Sequence, residues 1–281
     1  MELGQPSRTA LATAYQRAYH QIADEPRIFT DPLAMRILGV DEAELIERNT
    51  ATLESGDPRW PRRRRMFLAG RARFAEDTVR AAAAAGTRQV VILGAGLDTF
   101  AYRDPFPELR VYEVDHPDTQ EWKRHRLAES GIDVPDSLAF VPIDFETRTL
   151  AEGLAEAGFP RDEPAVFVWL GVVMYLTRDA ISGTLKYISQ QALPTQVVLD
   201  YLVPATTSEE AADLEARADR VGAVGEPFLS YFTADDMAAA LADAGFTEVE
   251  DRTATEVIAG YTGTSPQPSA GNTPRILRAT N

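Results

Sequence analysis

The chain has 281 residues, with 43 Asp and Glu against 28 Lys and Arg and a formal net charge of −15. Such a field repels nucleic-acid backbones and anionic membranes, so neither is expected as a partner. There is no cysteine, which excludes disulfides, thiolate metal sites and cysteine nucleophiles.

The opening stretch, MELGQPSRTALATAYQRAYH, has no basic segment followed by an apolar core. No later run approaches the ~20 apolar residues of a membrane span, and a cytoplasmic protein is expected. The length suits one α/β domain over 1–281 with an elaboration. Residues 7–85 read as helices, with Pro32 suiting a helix start after Asp31. PRRRRMFLAGRARFAEDTVRAAAAAG ends on alanines and Gly86, a helix followed by its C-cap residue. A helical cap over 1–86 is therefore expected before a core at 87–281.

Short apolar runs follow at Gln89–Leu93, Arg110–Asp115, Ala139–Ile143, Ala165–Leu170 and Gln196–Asp200. Lacking polar alternation, they suit strands covered on both faces, as in a doubly wound, mostly parallel sheet. Residues 203–230 form a connection much longer than the usual 2–6 residues and read as a lid. TADDMAAALADAGF is a helix with Thr233 as N-cap and Gly245 at its end. Strand-like residues from Thr247 and the terminal PRILRAT are expected to pair antiparallel, and SPQPSAGNTP reads as a loop.

Within VILGAGLDTF, Gly94-Ala95-Gly96 ends the first apolar run, where open α/β sheets bring backbone close to a ligand. A tight turn alone is the structural alternative, and Asp98 just beyond is a further ligand candidate. In VYEVDHP, Glu113 and Asp115 stand about 20 residues past the first glycine, the separation at which a carboxylate accepts both hydroxyls of a ribose. Asp115 ranks first. Nicotinamide cofactors and S-adenosylmethionine both carry that ribose. Thr99 occupies the third position of a G-x-G-x-x-G fingerprint, which favours a ligand without pyrophosphate.

In FVPIDFE, Asp144 is placed to accept from an exocyclic adenine amine while Phe145 offers its amide and ring; capping of the next helix is the alternative for Asp144. In VFVWLGVVMYLTRDAI, Gly171 permits close approach beneath a methionine-like moiety, with Met174 and Tyr175 facing the space above. Core packing is the alternative for Trp169 and Tyr175. Tyr175 and Tyr201 are the candidate substrate-facing groups. None of His20, His116 and His125 is assigned as a general base. Arg62 to Arg65 read as a solvated helix face, with attraction of an acidic acceptor as the alternative.

These motifs together resemble the leucine carboxyl methyltransferase family, in its bacterial branch of S-adenosylmethionine-dependent O-methyltransferases related to polyketide-tailoring enzymes. The resemblance runs through SRTA, FTDPLA, RMFLAGRARFAED, QVVILGAGLDT, YEVDHP, FVPIDFE, WLGVVMYL, GEPFLSYFT and AGF, nearly the whole chain. It implies a class I methyltransferase, Rossmann-like fold with seven strands and added N-terminal helices over the cofactor. It also implies Arg71 on the methionine carboxylate, Gly94 and Gly96 along the amino acid part, Asp115 on the ribose, and Asp144 with Phe145 at the adenine. Ala95, Asp98, Glu113, Leu170 and Gly171 complete the cofactor set, Arg73 is the near alternative to Arg71, and an ion pair with Glu76 or Asp77 is the structural alternative for either.

Two positions depart from the family pattern. Phe100 stands where the family often has Arg, and Leu170 where the eukaryotic enzymes carry Glu, so a small-molecule acceptor is expected rather than a protein C-terminus. The expected reaction is methyl transfer to a carboxylate or hydroxyl, with S-adenosylhomocysteine as product and no metal; oligomeric state is not legible. A nicotinamide-dependent reductase is the first alternative, lacking a Tyr-x-x-x-Lys pair because Leu-Val-Pro-Ala follows Tyr201. A non-catalytic protein binding the adenosyl cofactor is the second.

Overall fold

The computed structural model describes residues 7–53, 59–103, 106, 108–145, 147–222, 225–268 and 271–281. Glu146, two residues of the expected lid (Ala223 and Val224) and two of the expected terminal loop (Ser269 and Ala270) lie outside the described residues.

The N-terminal region contributes α1 (Arg8–Ala23), α2 (Glu42–Leu53) and α3 (Arg59–Ala84). Ser7 caps α1 by accepting from the Ala10 amide at 3.1 Å. No helix begins at Pro32. Residues 32–39 instead wind through successive turns, because Gly39 at φ +66° closes the segment before a regular ladder is established. α3 runs longest, since its last half is rich in alanine and straight-chain residues. It stops at Gly86, φ +107°, where the Thr87 amide returns to the Ala82 carbonyl at 2.9 Å.

The core then alternates strand and helix: β1 (Gln89–Leu93), β2 (Arg110–Asp115), α4 (Pro117–Glu129), β3 (Leu138–Pro142), α5 (Leu150–Glu156), β4 (Ala165–Trp169), α6 (Arg178–Ser189) and β5 (Gln196–Tyr201). α7 (Ser208–Gly222), α8 (Ala234–Ala244), β6 (Glu248–Thr253), α9 (Ala254–Thr262) and β7 (Arg275–Thr280) complete it. The order across the sheet is β3-β2-β1-β4-β5-β7-β6. The first five strands are parallel; β7 slots antiparallel between β5 and β6, opposite Val198 through Arg278 and opposite Glu250 through the same residue. This is the expected class I methyltransferase, Rossmann-like arrangement with its antiparallel end. α9 was not expected: Thr253 and Glu256 form a capping box that turns the chain helical directly after β6.

Alternation along the strands sends residues to two cores. Val91, Tyr112, Phe167 and Val197 face α5, α6 and α8, while Val90, Val111, Val166 and Val198 face α3 and α9. The chain winds outward from β1 to β3, then returns to β4, so the carboxyl ends of β1 and β4 flank the point where the order reverses. Crevices for ligands open there in such sheets.

Within the cap, a buried carboxylate ties α1 to α3. Asp24, at the end of α1, accepts from Arg65 of α3 at 2.6 and 2.9 Å and from His20 Nδ1 at 2.9 Å; the Arg65 guanidinium also lies 4.8 Å over the Tyr19 ring. Burial alone would raise the Asp24 carboxyl, but these donors outweigh it and hold it at about 2. A depressed acid stabilises the fold above its unfolded pKa near 4, and the contribution is lost as pH falls through about 2. We therefore expect stability to decline between about pH 4 and pH 2 with a contribution of about 2 kcal/mol from this group, and Asp24→Asn to remove that contribution and lower stability at pH 7 by at least that amount. Urea titrations of both proteins at pH 7, 4 and 2.5 check it.

Candidate functional site

The site is built from the strand ends. Leaving β1, Gly94 takes φ +66° and Gly96 φ +46°. The Gly94 and Ala95 amides donate to the Val114 carbonyl at 2.8 and 3.1 Å, which folds the turn across the end of β2. The Gly96 amide then donates to Asp115 Oδ2 at 2.5 Å and the His116 amide to Oδ1 at 2.7 Å. The cradle is close-fitting: a Cβ on Gly94 would come within 2.4 Å of Val172, and one on Gly96 within 3.1 Å of Ala10. Burial raises the Asp115 carboxyl and the two amides oppose the shift. Asp98 caps the next short turn by accepting from the Phe100 amide at 2.8 Å.

At the end of β3, the Asp144 carbonyl accepts from the Thr147 and Arg148 amides at 3.0 and 2.9 Å. α5 takes its cap from Thr149, in a capping box with Glu152, so Asp144 does not serve as that helix's N-cap. Phe145 leaves its ring largely exposed, at 58%. At the ends of β4 and β5, the Gly171 amide donates to Asp200 Oδ1 and Arg71 Nη1 to Asp200 Oδ2, each at 2.6 Å. Gly171 has φ +73°, and a Cβ there would lie 2.9 Å from Arg71 Nη2.

All these groups open on one cavity of about 1560 Å³: Arg71, Gly94, Ala95, Gly96, Asp98, Asp115, Asp144, Phe145, Leu170, Gly171 and Tyr175 line it. Small-molecule sites typically occupy about 300–1,000 Å³, so there is room for two ligands side by side. Tyr175 packs its ring 5.5 Å from that of Phe228; burial raises its phenol, against a hydrogen bond with Thr9.

Two expected residues are elsewhere. Glu113 does not reach the cavity. It is fully buried, with Oε2 accepting from Lys123 at 2.7 Å and from the Tyr102 hydroxyl at 3.0 Å, because α4 covers it where β2 is still paired on both sides. Tyr201 is not substrate-facing. One residue after Asp200 it points to the opposite face, and its hydroxyl donates to Asp251 of β6 at 2.6 Å. Arg73 also turns away, donating to the Ile28 carbonyl at 2.9 Å and stacking 4.8 Å over Tyr261. The Arg62 to Arg65 run divides: Arg63 and Arg64 are exposed and line the cavity, whereas Arg65 is the buried partner of Asp24 and not part of a solvated face.

Three functional candidates escaped sequence reasoning. Asp200 carried a usable signal, an acid ending an apolar run just as Asp115 and Asp144 do. Arg17 of α1 lines the cavity beside Asp31, 2.9 Å away, and Arg217 of α7 lines it from the insertion after β5; neither has a local signature. Among the described residues no group of three or more His, Asp or Glu side chains is arranged to hold a metal ion, and no helix is long and apolar enough to cross a membrane.

The model of the leucine carboxyl methyltransferase family matches residues 10–189. A Bacillus subtilis (strain 168) protein named "Putative S-adenosyl-L-methionine-dependent methyltransferase YktD" is 30% identical over 267 residues, covering 87% of this chain and 88% of its own. A Mycolicibacterium smegmatis (strain ATCC 700084 / mc(2)155) relative, also named a "Putative S-adenosyl-L-methionine-dependent methyltransferase", is 35% identical over 216 residues, covering 74% of this chain and 70% of its own. Among solved structures, magnesium protoporphyrin IX methyltransferase from Synechocystis PCC 6803, with bound SAH, superposes with a TM-score of 0.47 at 15% identity, over 76% of this chain and 84% of its own.

Asp115→Ala is expected to weaken S-adenosylhomocysteine at least about tenfold, since hydrogen bonds to a charged group contribute about 1.5–3 kcal/mol. Titration calorimetry checks it. Affinity within about threefold of wild type would remove Asp115 from the ribose.

Proposed function

The chain belongs to the leucine carboxyl methyltransferase family, and from that membership we propose that this S-adenosylmethionine-dependent methyltransferase acts on an oxygen, carboxylate or hydroxyl, of a small molecule. The observation that supports this reading best is the convergence of Gly96 with Asp115, Asp144 with Phe145, and Arg71 with Gly171 on one cavity that continues past Tyr175.

The residues present fit the cofactor. Asp115 has the acceptor oxygens a ribose needs, Phe145 has a flat exposed face, and Gly171 keeps clear the space in which a Cβ would strike the Arg71 guanidinium. Arg71 spends Nη1 on Asp200, and its planar fork suits a second carboxylate. A dinucleotide fits less well. β1 is followed by a short 3-10 turn, Phe100–Tyr102, rather than by a helix whose N-terminus would cradle pyrophosphate, and the Thr99 hydroxyl donates to Asp31 at 2.7 Å where the third glycine would stand.

When bound, S-adenosylmethionine supplies a methyl group on a positively charged sulfur. What the chain adds is alignment and exclusion of water. Trp169, Leu170, Met174 and Tyr175 provide apolar walls. No histidine is offered as a base: His20 is buried against Asp24, His116 Nδ1 accepts from the Asp118 amide at 3.3 Å to cap α4, and His125 is exposed on α4. Tyr175, with its phenol pushed up, stays protonated at neutral pH and can only donate to an anion. An acceptor that arrives ionised, such as a carboxylate with pKa near ~4, needs no base. Leu170, in place of the Glu of eukaryotic members, supports a small molecule over a protein C-terminus.

Incubation with methyl-labelled S-adenosylmethionine and a panel of small acids, phenols and amines is expected to place label in esters or ethers. Label on nitrogen alone would contradict O-transfer. In parallel, Arg71→Gln is expected to cost S-adenosylhomocysteine at least about tenfold and adenosine no more than about threefold, in line with one charged contact of about 1.5–3 kcal/mol. Equal losses, measured by calorimetry, would take Arg71 off the amino acid carboxylate.

A further inference from the structure

Among the described residues, the buried Arg65 and Arg71 and the half-buried Arg103 each pair with a carboxylate: Asp24, Asp200 and Glu76 in turn. Arg217 breaks the pattern. It projects from α7 into the cavity, stacks 5.3 Å over the Phe228 ring, and makes no ion pair with any described residue. Asp200 attracts it at a distance, while the donors to the Asp200 oxygens are the Gly171 amide and Arg71. Burial, reinforced by the nearby positive charge of Arg64, lowers the Arg217 guanidinium to about 10. A half-buried guanidinium that faces a cavity and has no ion pair among the described residues offers a place where an anion binds.

Its location decides which anion. Asp144, Asp115 and Gly96 sit at the ends of β3, β2 and β1, on one half of the sheet; Gly171 and Asp200 end β4 and β5 on the other. Arg217 comes from the insertion after β5, not from a strand end, and among its neighbours in the cavity are the Phe228 and Tyr175 rings with Arg64, Arg71 and Asp200. The insertion is tied down on both sides. The Leu229 amide donates to the Met174 carbonyl at 2.8 Å, Thr9 of α1 donates to Glu226, and Glu210 near the start of α7 accepts from the Thr206 amide at 2.7 Å and from the Gly271 amide. Arg217 is thus held on the cavity wall against the Phe228 ring, near Tyr175 and within electrostatic reach of Arg64 and of the Arg71–Asp200 pair.

We propose that Arg217 is the specificity-determining residue of the acceptor site, binding the carboxylate of an acceptor whose body is apolar or aromatic. The proposal rests on the O-transfer reading above and narrows it. A planar guanidinium engages a carboxylate through two parallel N–H donors, and a neutral amide or alcohol of the same shape forfeits the charge.

The test uses the full chain saturated with S-adenosylhomocysteine and two acids, 4-phenylbutyrate and octanoate, each against its primary amide, by calorimetry. Each acid is expected to bind at least tenfold tighter than its amide. Arg217→Gln is expected to bring that ratio within threefold while S-adenosylhomocysteine affinity stays within threefold of wild type, and Arg217→Lys to restore part of the preference. The proposal is overturned if neither acid binds, if acid and amide bind alike, or if the preference survives in Arg217→Gln. It is also overturned if that variant loses S-adenosylhomocysteine as severely as it loses acids, which would seat Arg217 in the cofactor subsite. Label transfer separates the two levels: nitrogen-only products with an intact acid preference sink O-transfer and leave Arg217 its anion, whereas oxygen products without acid preference do the reverse.

Discussion

One buried carboxylate joins the parts of this molecule that make a site. Asp200, 1% exposed, accepts from the Gly171 amide and from Arg71 at 2.6 Å each. Those two contacts bind the end of β5 to the turn after β4 and to α3, a helix of the N-terminal cap. A buried pair of this kind adds little over an apolar substitute, yet losing one member strands the other at a cost of about 3–5 kcal/mol. Its value lies in position. Arg71 is thereby held against Gly171, where it lines the cavity from α3.

Much of this architecture is legible in the sequence, for identifiable reasons. β1 and β2 fall at the expected residues because their apolar runs are sharply bounded, and α8 does because Thr233 and Gly245 are strong helix signals at both ends. Gly94, Gly96, Asp115 and Asp144 share the cavity because strand ends of a parallel sheet all emerge on one edge. What stays hidden depends on partners distant in sequence. Arg71 and Asp200 are separated by 129 positions, and nothing local to either names the other. Glu113 and Asp115, two apart, look interchangeable until Lys123 of α4 claims the first and the Gly96 amide the second. Tyr201 and Asp200 exchange roles through a single step of strand alternation. α9 was concealed because it starts directly after β6 with no loop, its only signal being the Thr253 and Glu256 capping box.

Charge is distributed against the grain of the whole. A chain of −15 presents an acidic exterior that turns away polyanions, yet Arg17, Arg63, Arg71, Arg148 and Arg217 all border the cavity. Net charge therefore speaks to large partners and is silent about the small molecule inside. In a cleft with low-dielectric walls, a few cations set the local potential, and Arg217, half-buried, makes no ion pair with any described residue.

The most direct measurement is a crystal structure of the full chain with S-adenosylhomocysteine. The ribose is expected on Asp115, the adenine between Asp144 and Phe145, and the amino acid carboxylate on Arg71, with open space remaining beneath Arg217. A ligand seated away from the ends of β1, β2 and β3, or one whose carboxylate ignores Arg71, would contradict this placement.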